Sequence, residues 1–160
     1  MAVKPIPDGY HTLTPYLIVG DGAGAVAFYQ QAFEAKVRMR MRMRLPRPDG
    51  RIAHAEMRIG DSVIMMADEA PQMGALAPPT VGGSPVSLHL YVDDVDAVVA
   101  RAVAAGGKLL HPVENKFYGD RLGTIEDPFG HRWHVSTHIE DLAPEEIGRR
   151  AAAAMQGQTA

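Results

Sequence analysis

Apolar and polar positions along this chain follow two rhythms, and the same succession of rhythms occurs twice. Leu13 to Val19 reads as a strand. After Asp21, which is placed to cap a helix, Ala25, Phe28, Tyr29, Ala32 and Phe33 recur at helical spacing. Val37 to Leu45 alternates strictly, Pro46 to Gly50 reads as a turn, and Ile52 to Ile59 as another strand. Gly60-Asp61 forms a hairpin signal before a strand over Val63 to Ala67. The Gly-, Ala- and Pro-rich stretch 71–85 reads as a linker over the surface.

The succession then restarts. Val86 to Val92 is a strand, and Asp94 caps a helix carrying Val95, Val98, Val99, Ala102 and Val103, which Gly106-Gly107 ends. Lys108 to His111, Asp120 to Asp127 and Arg132 to Thr137 follow as strands. Asp21 corresponds to Asp94 and Gly60 to Gly130, with the first copy slightly longer between its helix and its hairpin, where the Arg-Met stretch lies. These elements predict an α+β fold of two βαβββ modules in a single domain over 1–160. Module one covers about 9–70, the linker 71–85 and module two 86–138. A further helix spans 143–155, with Glu145 and Glu146 in its first turn and Arg149 and Arg150 behind them. Its alanine-rich face either docks on the body or a partner subunit, or is solvated.

Composition narrows the functions open to such a fold. Of 160 residues, 46% are hydrophobic, and the net charge of −3 argues against a nucleic-acid binder that works by neutralising phosphates. The absence of cysteine excludes disulfides, thiolate catalysis and Cys-type zinc sites. The N-terminal stretch has no apolar signal region, and no apolar run reaches the length of a membrane span, so a cytoplasmic protein with no membrane contact is expected.

Chemistry concentrates in YGDRLGTIEDPFGHRWHVSTH, residues 118–138. It reads as strand, Asp-Pro-Phe-Gly turn and strand, with Pro128 fixing φ and Gly130 taking the strained position. Alternation after the turn lets one face pack while the other opens, so Arg121, His134 and Trp133 are expected to meet in one cleft. His89 shares a side of its strand with Ser87, and His54 shares one with Glu56. These residues could form an acid/base pair or a His-carboxylate ligand set, with His134 and Glu56 the candidate bases; alternatively His89 and His134 hydrogen-bond a ligand, or one is a core histidine. Arg121 could hold a carboxylate or phosphate and Tyr118 could donate to a carbonyl, against surface pairings of Asp120 with Arg121 or Glu126 with Arg132. Trp133 is a core anchor or the wall of an aromatic ligand site. The alternation from Arg38 to Arg44 puts four arginines on one side, for a ligand, a partner subunit or solvent.

Taken together, TPYLIV, AFYQQAF, HAEMRIGDSVIMMADE, GGSPVSLHLYVDDVDA and FYGDRLGTIEDPFGHRW resemble the PhnB-like branch of the glyoxalase/bleomycin-resistance/dioxygenase (vicinal oxygen chelate) superfamily, over about Gly9 to Asp141. The resemblance implies paired modules forming a curved mixed sheet around a cleft, and a homodimer. It also implies metal ligands on the first and last strand of each module. Carried across, those positions are Thr14, Ser87, His134 and, counting from Gly60 as from Gly130, Ile64. One of these is a competent ligand, so no metal or other cofactor is expected; any metal would fall to His89 and His134.

The function expected on these grounds is binding of a metabolite or antibiotic-like small molecule. The ligand would be lined by His89, Trp133, His134, Tyr118 and Arg121, with His54, Ser87 and Thr14 as further contacts. The rival is a lyase or isomerase acting next to a carbonyl, with His134 or Glu56 as base and Arg121 or a nonstandard metal stabilising the enolate. An interaction protein working through the Arg strip and the C-terminal helix is a third reading.

Overall fold

A computed structural model describes residues 3–39 and 50–157. The chain forms two compact units: residues 3–85 of the described chain together with Pro128–His131, and Val86–Asp127 together with 132–157. Each unit carries the expected βαβββ order, and each has its own four-stranded mixed sheet.

In the first unit the strands are β1 (Tyr16–Val19), β2 (Lys36–Met39), β3 (Ala55–Ile59) and β4 (Ser62–Asp68), with helix α1 (Gly22–Phe33) after β1. The sheet order is β1-β4-β3-β2, with β1 parallel to β4 and the other pairs antiparallel. Beyond Met39, the alternating Arg-Met stretch lies outside the described residues. Helix α1 starts where two carboxylates satisfy its first free N–H groups. Asp21 accepts from Gly24 N at 2.9 Å, and Asp68 at the end of β4 accepts from Gly22 N at 2.7 Å. The second Asp68 oxygen accepts from Ile52 N at 2.5 Å, which ties the entry to β3 to the same point. Phe28, Tyr29, Ala32 and Phe33 bury one face of α1, and Phe129 meets Phe28 and Tyr29 at ring-centroid distances of 6.2 and 6.4 Å.

The stretch read as a surface linker has structure of its own. It holds a 3₁₀ turn at Pro71–Met73 and helix α2 (Pro78–Val81), and Ala77 and Pro78 are buried. Glu69 holds it in place by accepting from Ala77 N at 3.1 Å and Thr80 Oγ1 at 2.7 Å. Gly130, in the loop after Asp127, adopts the expected positive φ of 91°.

The second unit repeats the plan with β5 (Ser87–Tyr91), α3 (Val95–Ala104), β6 (Lys108–Asn115), β7 (Asp120–Glu126), β8 (Arg132–His138) and the C-terminal helix α4 (Pro144–Gly157). Its sheet order is β5-β8-β7-β6, and β5 runs parallel to β8. Asp94 caps α3 by accepting from Ala97 N at 3.0 Å. Thr137 Oγ1 accepts from Val95 N and donates to Val92 O, each at 2.9 Å, which fixes the start of α3 against β8.

The two faces of each sheet follow from register. A Cβ placed on Gly123 would meet Val99 of α3 at 3.3 Å, so Gly123 faces the helix, and so do its register partner Val135 and the residues two positions along, Ile125 and Trp133. Leu122, Thr124, His134 and Ser136 therefore face the other way, together with Ser87, His89 and Tyr91 of β5. In the first unit, Asp68 touches the start of α1, so Ile64 and Met66 lie on the helix side, while Tyr16, Met65 and Glu56 share the helix-free face.

Candidate functional site

His111 on β6, Thr124 on β7, His134 on β8 and His89 on β5 are successive register partners, so they form one row across the helix-free face of the second sheet. The His89 and His134 ring centroids stand 6.0 Å apart. Each ring is held at one nitrogen by a buried hydroxyl. Thr124 Oγ1 lies 2.9 Å from His134 Nδ1, and Ser136 Oγ lies 2.5 Å from His89 Nε2. Thr124 is 1% exposed and Ser136 0%, so these hydroxyls are fixed supports beneath the rings. His134 Nε2 and His89 Nδ1 have no hydrogen-bond partner among the described residues. Burial pushes His134 below the ordinary imidazole value, and His89, Arg132 and His111 push it the same way. The ring is thereby favoured in its neutral form, with Nε2 available to a ligand.

The neighbouring row is partly aromatic. The Tyr91 ring lies 4.8 Å from that of His89, and its hydroxyl donates to Asp120 at 2.9 Å. Asp120, only 4% exposed, also accepts from His138 Nδ1 at 2.7 Å, while His138 Nε2 reaches Asp141 at 3.0 Å. These two carboxylates raise the pKa of His138.

The residues expected to gather in one cleft are parted by the sheet. His134, His89 and Ser87 share the helix-free face, with Ser87 opposite Arg132. Trp133 lies on the α3 side, 3% exposed, and its indole N–H donates to Asp127 at 2.9 Å. Arg121 is also on that side: its guanidinium grips Asp96 of α3 through two bonds of 2.7 and 2.8 Å and donates to Asn115 at 2.9 Å. Arg121 and Trp133 therefore do not meet His134, because odd and even positions of β7 and β8 point to opposite faces. Asp120 pairs with Tyr91 and His138 in place of the expected Arg121. Tyr118 sits half-buried in the turn before β7, edge-on to Phe117, and burial raises its pKa.

Thr14, His54 and Glu56 belong to the first unit. Thr14 is half-buried before β1, while His54 and Glu56 are hydrogen-bonded to each other at 3.1 Å on that unit's own helix-free face. Sequence alone does not single out Thr124, Ser136, Tyr91 and His111. The available signal was parity with His134 and His89, but it becomes usable only once the strand register is known.

The two βαβββ units define the class, and comparison with known sequences agrees: residues 10–135 match the Glyoxalase/Bleomycin resistance protein/Dioxygenase superfamily, and the chain belongs to it. The uncharacterized protein Mb0911c of Mycobacterium bovis is 40% identical over 148 residues, covering 91% of this chain and 93% of that protein. Among solved structures, protein PA1353 of Pseudomonas aeruginosa superposes with a TM-score of 0.63 at 25% identity, covering 81% of this chain and 99% of its own. The PhnB protein of Bacillus cereus shares the fold, with a TM-score of 0.60 at 20% identity over 79% of this chain and 99% of its own.

The divalent ion that the resemblance implies does not fit the residues present. Of the positions carried across, Thr14 and Ser87 offer hydroxyls, which are weak primary ligands, and Ile64 is 5% exposed on the α1 side of its sheet. The helix-free residue next to Ile64 is Met65, a thioether. Among the described residues no three His, Asp or Glu side chains converge closely enough to hold an ion.

Proposed function

We propose that the helix-free face of the second sheet binds a small organic molecule of metabolite or antibiotic-like kind, without a metal. The observation that carries this reading is the His89–His134 pair. Two imidazoles face the same way, each is fixed at one nitrogen by a buried hydroxyl, and each leaves its other nitrogen uncommitted. That arrangement costs little entropy on binding, because the rings are already ordered. It suits a ligand with two hydrogen-bonding groups and a planar or apolar portion to lie against Tyr91 and Leu122. Arg132, in the adjoining row, adds positive charge for an anionic substituent. The enolate-stabilising role considered for Arg121 has no place on this face, since that guanidinium is committed to Asp96. A homodimer is part of the same proposal.

A thermal-stability screen of the full chain against metabolites and antibiotics tests it. A ligand at 100 times its Kd stabilises the folded state by about 2.7 kcal/mol. The reading expects hits whose stabilisation His134→Ala and His89→Ala reduce without loss of the fold. Hits that survive both substitutions unchanged would count against it.

A further inference from the structure

The first unit has a polar chain of its own that the binding site above does not use. Tyr16 on β1, Met65 on β4 and Glu56 on β3 form one row across the helix-free face, and His54 lies two residues before Glu56. Four side chains connect there. The Tyr10 hydroxyl donates to Glu56 Oε2, His54 Nε2 lies 3.1 Å from Glu56 Oε1, and the Tyr16 hydroxyl lies 2.9 Å from His54 Nδ1. Exposure rises steadily along the chain: Glu56 is 6% exposed, the His54 side chain 22% and Tyr16 48%.

This order has a chemical consequence. With Nε2–H of His54 directed at the Glu56 carboxylate, the lone pair of the ring lies on Nδ1. The Tyr16 hydroxyl donates to that lone pair, so the imidazole is positioned to take its proton. Burial raises the pKa of Tyr16, so the phenol ionises reluctantly by itself. A hydroxyl, a base within reach and a carboxylate orienting the base form the arrangement that activates a nucleophile.

We propose that Glu56, His54 and Tyr16 form an acid–base relay that presents the Tyr16 hydroxyl as an activated nucleophile toward acyl esters. In the step, Tyr16 Oη bonds to the acyl carbon and its proton passes to His54 Nδ1. Glu56 stabilises the imidazolium, the ester C–O bond breaks, and the leaving oxygen departs either as an anion or with the proton from His54. The product is O-acyl Tyr16. Glu56 and Tyr10 are positioning residues, acting through His54.

The molecule contains its own control. Tyr91 is more exposed than Tyr16, at 62%, but its hydroxyl donates to the Asp120 carboxylate, and among the described residues no imidazole nitrogen accepts from it. Exposure alone would make Tyr91 the faster to react, and the relay makes it Tyr16. The test treats the full chain with p-nitrophenyl acetate, follows release of p-nitrophenolate, and maps acetylation by peptide mass spectrometry. Tyr16 is expected to acetylate at least about tenfold faster than Tyr91, a threshold below the roughly 10²–10⁴-fold that a positioned base supplies. His54→Gln and Glu56→Gln are expected to collapse that ratio, and Tyr16→Phe to remove the burst. The ratio is read within one molecule, so a general loss of stability does not imitate the result. Equal labelling of both tyrosines, faster labelling of Tyr91, or a ratio indifferent to His54→Gln would overturn the proposal.

Discussion

His89 and His134 are register partners on adjacent parallel strands, with ring centroids 6.0 Å apart and each ring anchored by a different buried hydroxyl. Strand register separates the residues of the second unit into those on this helix-free face and those on the α3 side. Removing either imidazole is expected to weaken binding of any ligand at this face by about tenfold or more, as for loss of a hydrogen bond in a desolvated site. Arg121→Ala is expected to leave that affinity within about twofold, because its guanidinium serves Asp96 and Asn115 on the opposite side. Titration calorimetry on the three variants checks both expectations.

Acidity should divide the histidines of this unit. Folding lowers the pKa of His134 below the ordinary 6.5, so the folded state disfavours its protonated form. Its contribution to stability is least at acid pH and improves as pH rises toward the unfolded value. His138 has the opposite sign: Asp120 and Asp141 raise its pKa, so its contribution is complete below 6.5 and is lost as pH climbs through the folded value. Ring NMR titration should place His134 below 6.5 and His138 above it. Denaturation should show His138→Ala destabilising at about pH 6 and doing so less at about pH 9.

Gly119 is a site where a side chain cannot be accommodated. Its φ is +97°, and an added Cβ would lie 2.3 Å from the backbone oxygen of Glu140. Its own carbonyl accepts from Ile139 N at 2.9 Å and Glu140 N at 3.0 Å, so the backbone there is closely held. Gly119→Ala is expected to cost about 3 kcal/mol or more, through strain and the lost approach. Gly20→Ala, where an added Cβ meets nothing within 4 Å, should change stability by under about 0.5 kcal/mol. Urea denaturation of the two variants provides the comparison.

Asp68 gathers the backbone N–H groups of Gly22 and Ile52 onto one carboxylate. Asp68→Ala leaves both donors without that acceptor and is expected to cost about 2 kcal/mol. Asp68→Asn, which keeps one acceptor oxygen, should cost roughly half of that. Equal costs for the two variants in chemical denaturation would mean that the pairing contributes little.

Much of this fold was legible because its signals are local. Asp21 and Asp94 cap the helices that follow them by accepting from N–H groups three residues on, Gly60 turns a hairpin, and the βαβββ order follows from spacing alone. The site was harder to read because it depends on register. Two residues of the 118–138 segment can lie close in sequence and yet face opposite ways, as Trp133 and His134 do. The count from Gly60 reached Ile64 on the helix side, whereas the same count from Gly130 reached His134 on the helix-free side. The first hairpin turns at Gly60-Asp61 and the second through the longer 127–131 loop, so the two hairpins do not preserve parity. The Tyr10–Glu56–His54–Tyr16 chain joins residues far apart in sequence, and no spacing rule announces it.

In the proposed binding mode, His89 and His134 present their uncommitted ring nitrogens to a small molecule. Long-range ¹H–¹⁵N NMR of the histidine rings, recorded while a stabilising ligand from the thermal screen is titrated in, tests it most directly. Binding is expected to shift His134 Nε2 and His89 Nδ1 together with the same apparent Kd, while His54 and His138 stay in place. A saturable ligand that leaves both of those nitrogens unmoved would contradict it.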